Sequence, residues 1–159
     1  MPLPGGYLID TNSIVHLLRS DEVGRYADVT YGLSASGNRF IMSIVTVGEM
    51  YALAHKLDWT ERKRASMHTL LDNFPWVDIS DPRILDAYGE IDSWSEANGR
   101  KMGKNDAWIA ATARVTNTTI LTTDKDFDDL HPINPSRAWR VDREWVDPNS
   151  KQPSRAVES

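Results

Sequence analysis

The segment Tyr7-Leu8-Ile9-Asp10-Thr11-Asn12-Ser13 decides the fold. Three apolar residues ahead of four polar ones predict a short buried strand that runs straight into a helix start. Asp10, Thr11, Asn12 and Ser13 all carry side chains able to accept the free N–H groups of a helix N-terminus. Ile14, Val15, Leu17 and Leu18 follow at helical spacing. The same strand-then-helix pattern recurs outward along the chain. Phe40-Ile41-Met42 reads as a strand, and a helix is expected from Thr46, because Val47, Met50, Tyr51 and Ala54 fall at i, i+3, i+4 and i+7. Further helices are expected within 21–34, over 60–74, from Ser80-Asp81-Pro82 to Asn98-Gly99, and over 105–114. Residues 76–79, 119–122 and 138–141 supply the remaining strands. Strands alternating with helices predict an α/β fold of three layers: a central, mostly parallel sheet of four to five strands flanked by helices.

The 159 residues fit one domain, expected over 1–147, with 148–159 as a flexible tail. A hydrophobic content of 40% with 9% aromatics argues for a folded globule. The absence of cysteine excludes disulfides, thiol catalysis, Cys-ligated zinc and iron–sulfur clusters. It fits a reducing compartment, and a cytoplasmic location is expected. No apolar run approaches the roughly 18 residues of a membrane span, and Met1-Pro2-Leu3-Pro4-Gly5-Gly6 lacks the features of a secretion signal. Lys plus Arg is 18 against 23 Asp plus Glu, a net charge of −5. Taken alone, that balance argues against a nucleic-acid partner.

In an open α/β sheet, ligands bind beyond the carboxyl ends of the strands. Four acids belong there. Asp10 follows the first strand, Glu49 lies in the first turn of the helix expected from Thr46, Asp106 opens the apolar helix 107–113, and Asp124 follows the strand at 119–122. Three of them also have an ordinary structural account. Asp10 can cap the helix at Ile14, Thr46-x-x-Glu49 matches a capping box, and Asp124 stands in a turn-rich acidic run. Asp106 is harder to explain away. It shares a side with Ile109, Ala110 and Ala113 of a helix apolar nearly all round, and a carboxylate on a buried face needs a partner. Lys104 is one candidate. The helix dipole contributes about 0.3–1 kcal/mol, small against desolvation, so a metal ion is the more adequate partner. An oxygen-only set without cysteine or a histidine pair suits a hard cation, Mg²⁺ or Mn²⁺. A carboxylate-held cation of that kind is the apparatus of phosphodiester hydrolysis.

Four motifs then carry a resemblance: Leu8-Ile9-Asp10-Thr11-Asn12, Ser43-Ile44-Val45-Thr46-Val47-Gly48-Glu49, Asn105-Asp106-Ala107-Trp108-Ile109-Ala110-Ala111-Thr112-Ala113, and Leu121-Thr122-Thr123-Asp124-Lys125-Asp126-Phe127. In this order the chain resembles the PIN-domain ribonucleases, most closely the VapC-type toxins of toxin–antitoxin pairs, over residues 7–145. The resemblance implies a Mg²⁺- or Mn²⁺-dependent endoribonuclease with Asp10, Glu49, Asp106 and Asp124 as catalytic and metal-holding acids. It implies supporting positions for Asn12 and Thr122, with Asp126 as a possible fifth acid. It also implies an RNA substrate, a cognate antitoxin that occupies the active-site groove, and a homodimer; nothing points to a membrane.

Arg100, Lys101 and Lys104, in a Gly-flanked loop ahead of Asp106, are RNA-binding candidates, with a solvated loop as the alternative. Arg62-Lys63-Arg64 reads as a solvated helix face. Tyr51, Trp94 and Trp108 could stack a base, core packing being the better account of Trp108. The four histidines are scattered and take no role. A HAD-type phosphatase needs a second Asp where Asn12 stands, a receiver-type domain needs a paired acid and a late Lys, and no Gly-x-Gly-x-x-Gly supports a dinucleotide site. The alternative from a different class is a catalytically silent PIN domain that binds RNA or protein. Two bound Mg²⁺ ions would add about +4 locally, so the net charge is a poor guide to whether this chain meets RNA.

Overall fold

The computed structural model describes residues 6–33, 40–99, 102–124, 126, 127 and, for the backbone, 138–140. Strand β1 (Tyr7–Ile9) leads into α1 (Thr11–Arg19) and α2 (Glu22–Tyr31). Next come β2 (Phe40–Ser43), α3 (Ile44–Lys56), α4 (Glu61–Leu71) and the short β3 (Trp76–Val77). Helices α5 (Pro82–Ala97) and α6 (Lys104–Thr116) follow, then β4 (Thr119–Thr122) and β5 (Ala138–Arg140). The strands form one sheet in the order β3-β2-β1-β4-β5, with every pairing parallel. The expected architecture is therefore the observed one.

Local chemistry explains the helix ends. The side chains of Asp10, Asp21, Ser43, Thr60 and Asp81 accept from Ser13, Gly24, Val45, Lys63 and Arg83 N–H groups respectively. Ser20, Gly32 and Asn117 close α1, α2 and α6 in the left-handed conformation. Several boundaries differ from expectation: β3 stops at Val77 and not at residue 79, α4 at Leu71 and not at residue 74, and α6 runs over Lys104–Thr116 and not 105–114. Helix α3 starts at Ile44, not Thr46, because Ser43 ends β2 and supplies the cap itself. Ile-Val-Thr-Val is itself a β-branched run placed directly after a strand, which hides the boundary in the sequence.

The pleat of the sheet divides the core into two. Ile9, Phe40, Met42 and Leu121 pack with Ile14, Val23, Met50 and Met67 against α1 to α4. Their neighbours Leu8, Ile41 and Ile120 face the other way, onto Ile84, Ile91, Ile109 and Ala110 of α5 and α6. Both faces are covered, so these strands are apolar at nearly every position. Trp108 is absorbed here, its ring stacked on Tyr88 at 3.7 Å between α6 and α5. Trp94 packs against the same core, while Tyr51 is exposed with its hydroxyl near His68.

The strand order places a switch point at β1. The chain leaves β1 toward β2 and β3, then crosses back through α5 and α6 to β4 on the other side. Crevices for ligands open at the carboxyl edge of such a reversal. Arg100, Lys101, Lys125 and the tail 148–159 lie outside the described residues.

Helices α1 and α2 meet backbone to backbone at Gly24, where a Cβ would stand 2.3 Å from the His16 carbonyl oxygen. His16 Nδ1 and Asp21 Oδ2 meet 2.7 Å apart in the same corner. Gly24→Ala should lower stability by about 1–3 kcal/mol in chemical denaturation, because the helices must separate. Gly48→Ala in α3, with nothing within 4 Å of the new methyl, should instead stabilise by about 0.5–1 kcal/mol.

Candidate functional site

The carboxyl edge of the sheet holds a cavity of about 370 Å³, lined by Asp10, Glu49, Asp106 and Asp124 together with Thr11, Asn12, Asn105 and part of α3. The four acids come from four different elements. Asp10 ends β1, Glu49 is in the second turn of α3, Asp106 is in the first turn of α6, and Asp124 follows β4. The parallel pairing of β1 with β2 and β4 brings them to one end.

Asp10 is buried, at 3% exposure. Its Oδ1 accepts from Ser13 N–H at 2.9 Å, so it does cap α1. Its Oδ2 accepts from the Thr122 hydroxyl on β4. Capping and site membership are thus two uses of one side chain. The Thr122 oxygen also accepts from the Asp124 N–H at 2.9 Å, and Asp124 Oδ1 accepts from Asp126 N–H at 2.9 Å. This turn chemistry lifts Asp124 and Asp126 toward Asp106. One carboxylate oxygen from each of these three lies within 4.8 Å of the others.

Glu49 is not part of a capping box, since α3 begins earlier and Ser43 caps it. Its Oε1 accepts from the Thr11 hydroxyl at 2.6 Å. Thr46, buried one turn before it, lies 3.3 Å from the same hydroxyl. Asn12 is exposed along the cavity, while the hydrogen bonds to Asp10 come from Ser13 and Thr122. Lys104, two positions before the acid at 106, pairs instead with Asp92 at 2.9 Å. Thr11, Ser13 and Thr46 are the residues that sequence reasoning passed over. The only sequence signal for Thr11 and Ser13 is their place in the polar run after β1.

The electrostatics are those of crowded, partly desolvated acids. Burial pushes the Asp10 carboxyl up to about 6, opposed by the hydrogen bonds from Thr122 and Ser13. Burial pushes Asp106 up to about 7, aided by the charges of Asp124, Asp10, Glu49 and Asp126. The favourable dipole at the start of α6 does not offset these effects. An oxygen-only donor set whose members raise one another's proton affinity fits a hard divalent cation, which would relieve the repulsion.

A family model described as PIN domain matches residues 7–131. Ribonuclease VapC2 of Haemophilus influenzae is 27% identical over 108 residues, 68% of this chain and 78% of the relative. Ribonuclease VapC2 of Rickettsia felis is 26% identical over 116 residues, 73% of this chain and 84% of the relative. Among solved structures, VapBC2 from Rickettsia felis bound to a promoter DNA fragment aligns with a TM-score of 0.69 at 22% identity, covering 83% of this chain and 95% of that one. VapBC-1 from nontypeable Haemophilus influenzae aligns at 0.65 and 20% identity, covering 85% and 97%. Both structures share the fold.

Without metal, Asp10 and Asp106 keep their protons to higher pH in the folded chain than in the unfolded one. Folding then takes up protons between about pH 4 and about pH 7, and stability falls as pH rises through that window. Denaturation in EDTA should show this fall, and Asp106→Asn should flatten it while raising stability at pH 7.5. An unchanged pH profile in that variant would contradict the assigned electrostatics.

Proposed function

Because the chain belongs to the PIN domain family, we propose that it is an endoribonuclease dependent on Mg²⁺ or Mn²⁺, the toxin of a toxin–antitoxin pair. The observation that carries this reading is the convergence of Asp10, Glu49, Asp106 and Asp124 on one cavity at the carboxyl edge of β1 and β4. The relatives named Ribonuclease VapC2 support the activity. The solved VapBC structures support a protein partner, a cognate antitoxin.

In this mechanism Asp10, Glu49, Asp106 and Asp124 would hold the cation, with Asp126 beside Asp106 and Asp124. When bound, such a cation supplies a Lewis-acidic centre that makes water nucleophilic at neutral pH and offsets charge at the reacting phosphate. The Thr122 hydroxyl and Ser13 N–H hold both oxygens of Asp10, so its orientation is set before substrate arrives. The Thr11 hydroxyl fixes one oxygen of Glu49 and leaves the other without a protein partner among the described residues. In this reading that oxygen would accept a proton from the water that attacks the phosphate. The expected step breaks one P–O bond as water's oxygen bonds to phosphorus, leaving a phosphate on one product end and a hydroxyl on the other, with no nucleophilic side chain required.

Labelled RNA incubated with Mn²⁺, with an EDTA control, separates this enzyme from a silent binding module. Asp10→Asn should reduce cleavage by about 100-fold or more with the fold retained by circular dichroism. Thr122→Val should cost about 10–100-fold through metal affinity, partly recovered at high Mn²⁺. Cleavage that persists in EDTA would overturn the mechanism.

A further inference from the structure

The cavity is lined by acids, yet its substrate would be a polyanion. Phosphates flanking the cut need a cation that the chain itself supplies. Most described cations near the two cores are already engaged. Lys104 pairs with Asp92, Arg83 with Asp81 and Arg114 with Glu90. Arg64 donates to the Trp59 and Ala54 carbonyls, and Lys63 sits over the Trp59 ring. Lys56 differs. It lines the acidic cavity, and among the described residues no hydrogen bond or ion pair engages it.

Its position follows from helix geometry. Glu49, Ala52, Leu53 and Lys56 fall at i, i+3, i+4 and i+7 of α3, and all four line the cavity. One helix face therefore carries an acid at one end and a cation at the other, about 10 Å apart along the axis, with a small apolar floor between. Lys56 is the last residue of α3, where the helix carbonyls favour a positive charge. It is exposed and has a long, flexible stem, so it can meet a phosphate without losing a partner first.

We infer that Lys56 is a positioning residue for RNA: its ammonium holds a phosphate next to the one being cut, and the Ala52–Leu53 floor seats the nucleotide between. This rests on the ribonuclease reading of the site. Because the anchor sits beyond the Glu49 end of the cavity, it also fixes the line along which the strand crosses the acids.

The test uses the full chain, Mn²⁺ and a short single-stranded RNA that the wild type cuts. Lys56→Gln should raise KM about five- to tenfold and leave kcat unchanged, the mark of a contact present equally in ground and transition states. Lys56→Arg should restore KM. Binding of fluorescein-labelled RNA, measured in a Glu49→Gln background that stops turnover, should lose about 0.7 from the slope of log Kd against log salt when Lys56→Gln is added, one phosphate contact fewer. If the wild type cuts RNA but KM and salt slope are unmoved by Lys56→Gln, the inference fails and the ribonuclease reading stands. If Lys56→Arg behaves like Lys56→Gln, charge is not what Lys56 contributes and the inference fails too. A wild type that neither cuts nor binds RNA removes both.

Discussion

The carboxylate of Asp10 is taken out of water at the seam between β1 and β4, and the organisation of this end of the molecule follows from that burial. Ser13 N–H and the Thr122 hydroxyl hold its two oxygens, Asp10 N–H extends the strand ladder to the Leu121 carbonyl, and the Ser13 hydroxyl reaches that same carbonyl. These bonds stitch the start of α1 to the end of β4. They satisfy the polar atoms but do not neutralise the charge, so the proton is held to about 6. The fold thereby keeps an unresolved electrostatic cost where Asp106 and Asp124 add to it. Such a cost is what a site retains when stability has been traded for ligand affinity.

The choice of orienting groups is consistent with this. Thr11 and Thr46 at Glu49, and Thr122 at Asp10, are hydroxyls. An arginine in any of these places would orient a carboxylate equally well, but it would cancel the charge that a cation needs. Hydroxyls fix direction and leave the charge in place. Among the described residues Lys104, two positions before Asp106, is drawn off by Asp92 on α5.

Much of this was legible in the chain itself. The apolar triplets flanked by capping residues mark the strands, and their lack of alternation announces a sheet covered on both faces. Asp10 and Asp124 could be placed at strand ends, and Glu49 and Asp106 near helix starts, because parallel α/β topology brings those ends together. What was not legible depends on which elements meet. Thr11 finds Glu49 only because α1 packs beside α3, 38 positions apart in sequence. Glu49 looked like part of a capping box because a β-branched run blurs the boundary at Ser43. Lys104 looked like a partner for Asp106, yet residues two apart on a helix point to different sides. Asp126 reads from the resemblance only as a possible fifth acid, and its approach to Asp106 becomes visible only when the β4 turn is built.

The bond between Thr122 and Asp10 spans 112 positions, and this long separation has a consequence in time. During synthesis the first acid emerges early, but the hydroxyl that orients it and the acid at Asp124 are among the later residues of the folded part. A growing chain cannot contain the complete acidic cavity until residue 124 has been added. Any chemistry that requires the whole cavity therefore waits for residue 124, and shorter chains carry an incomplete set of acids.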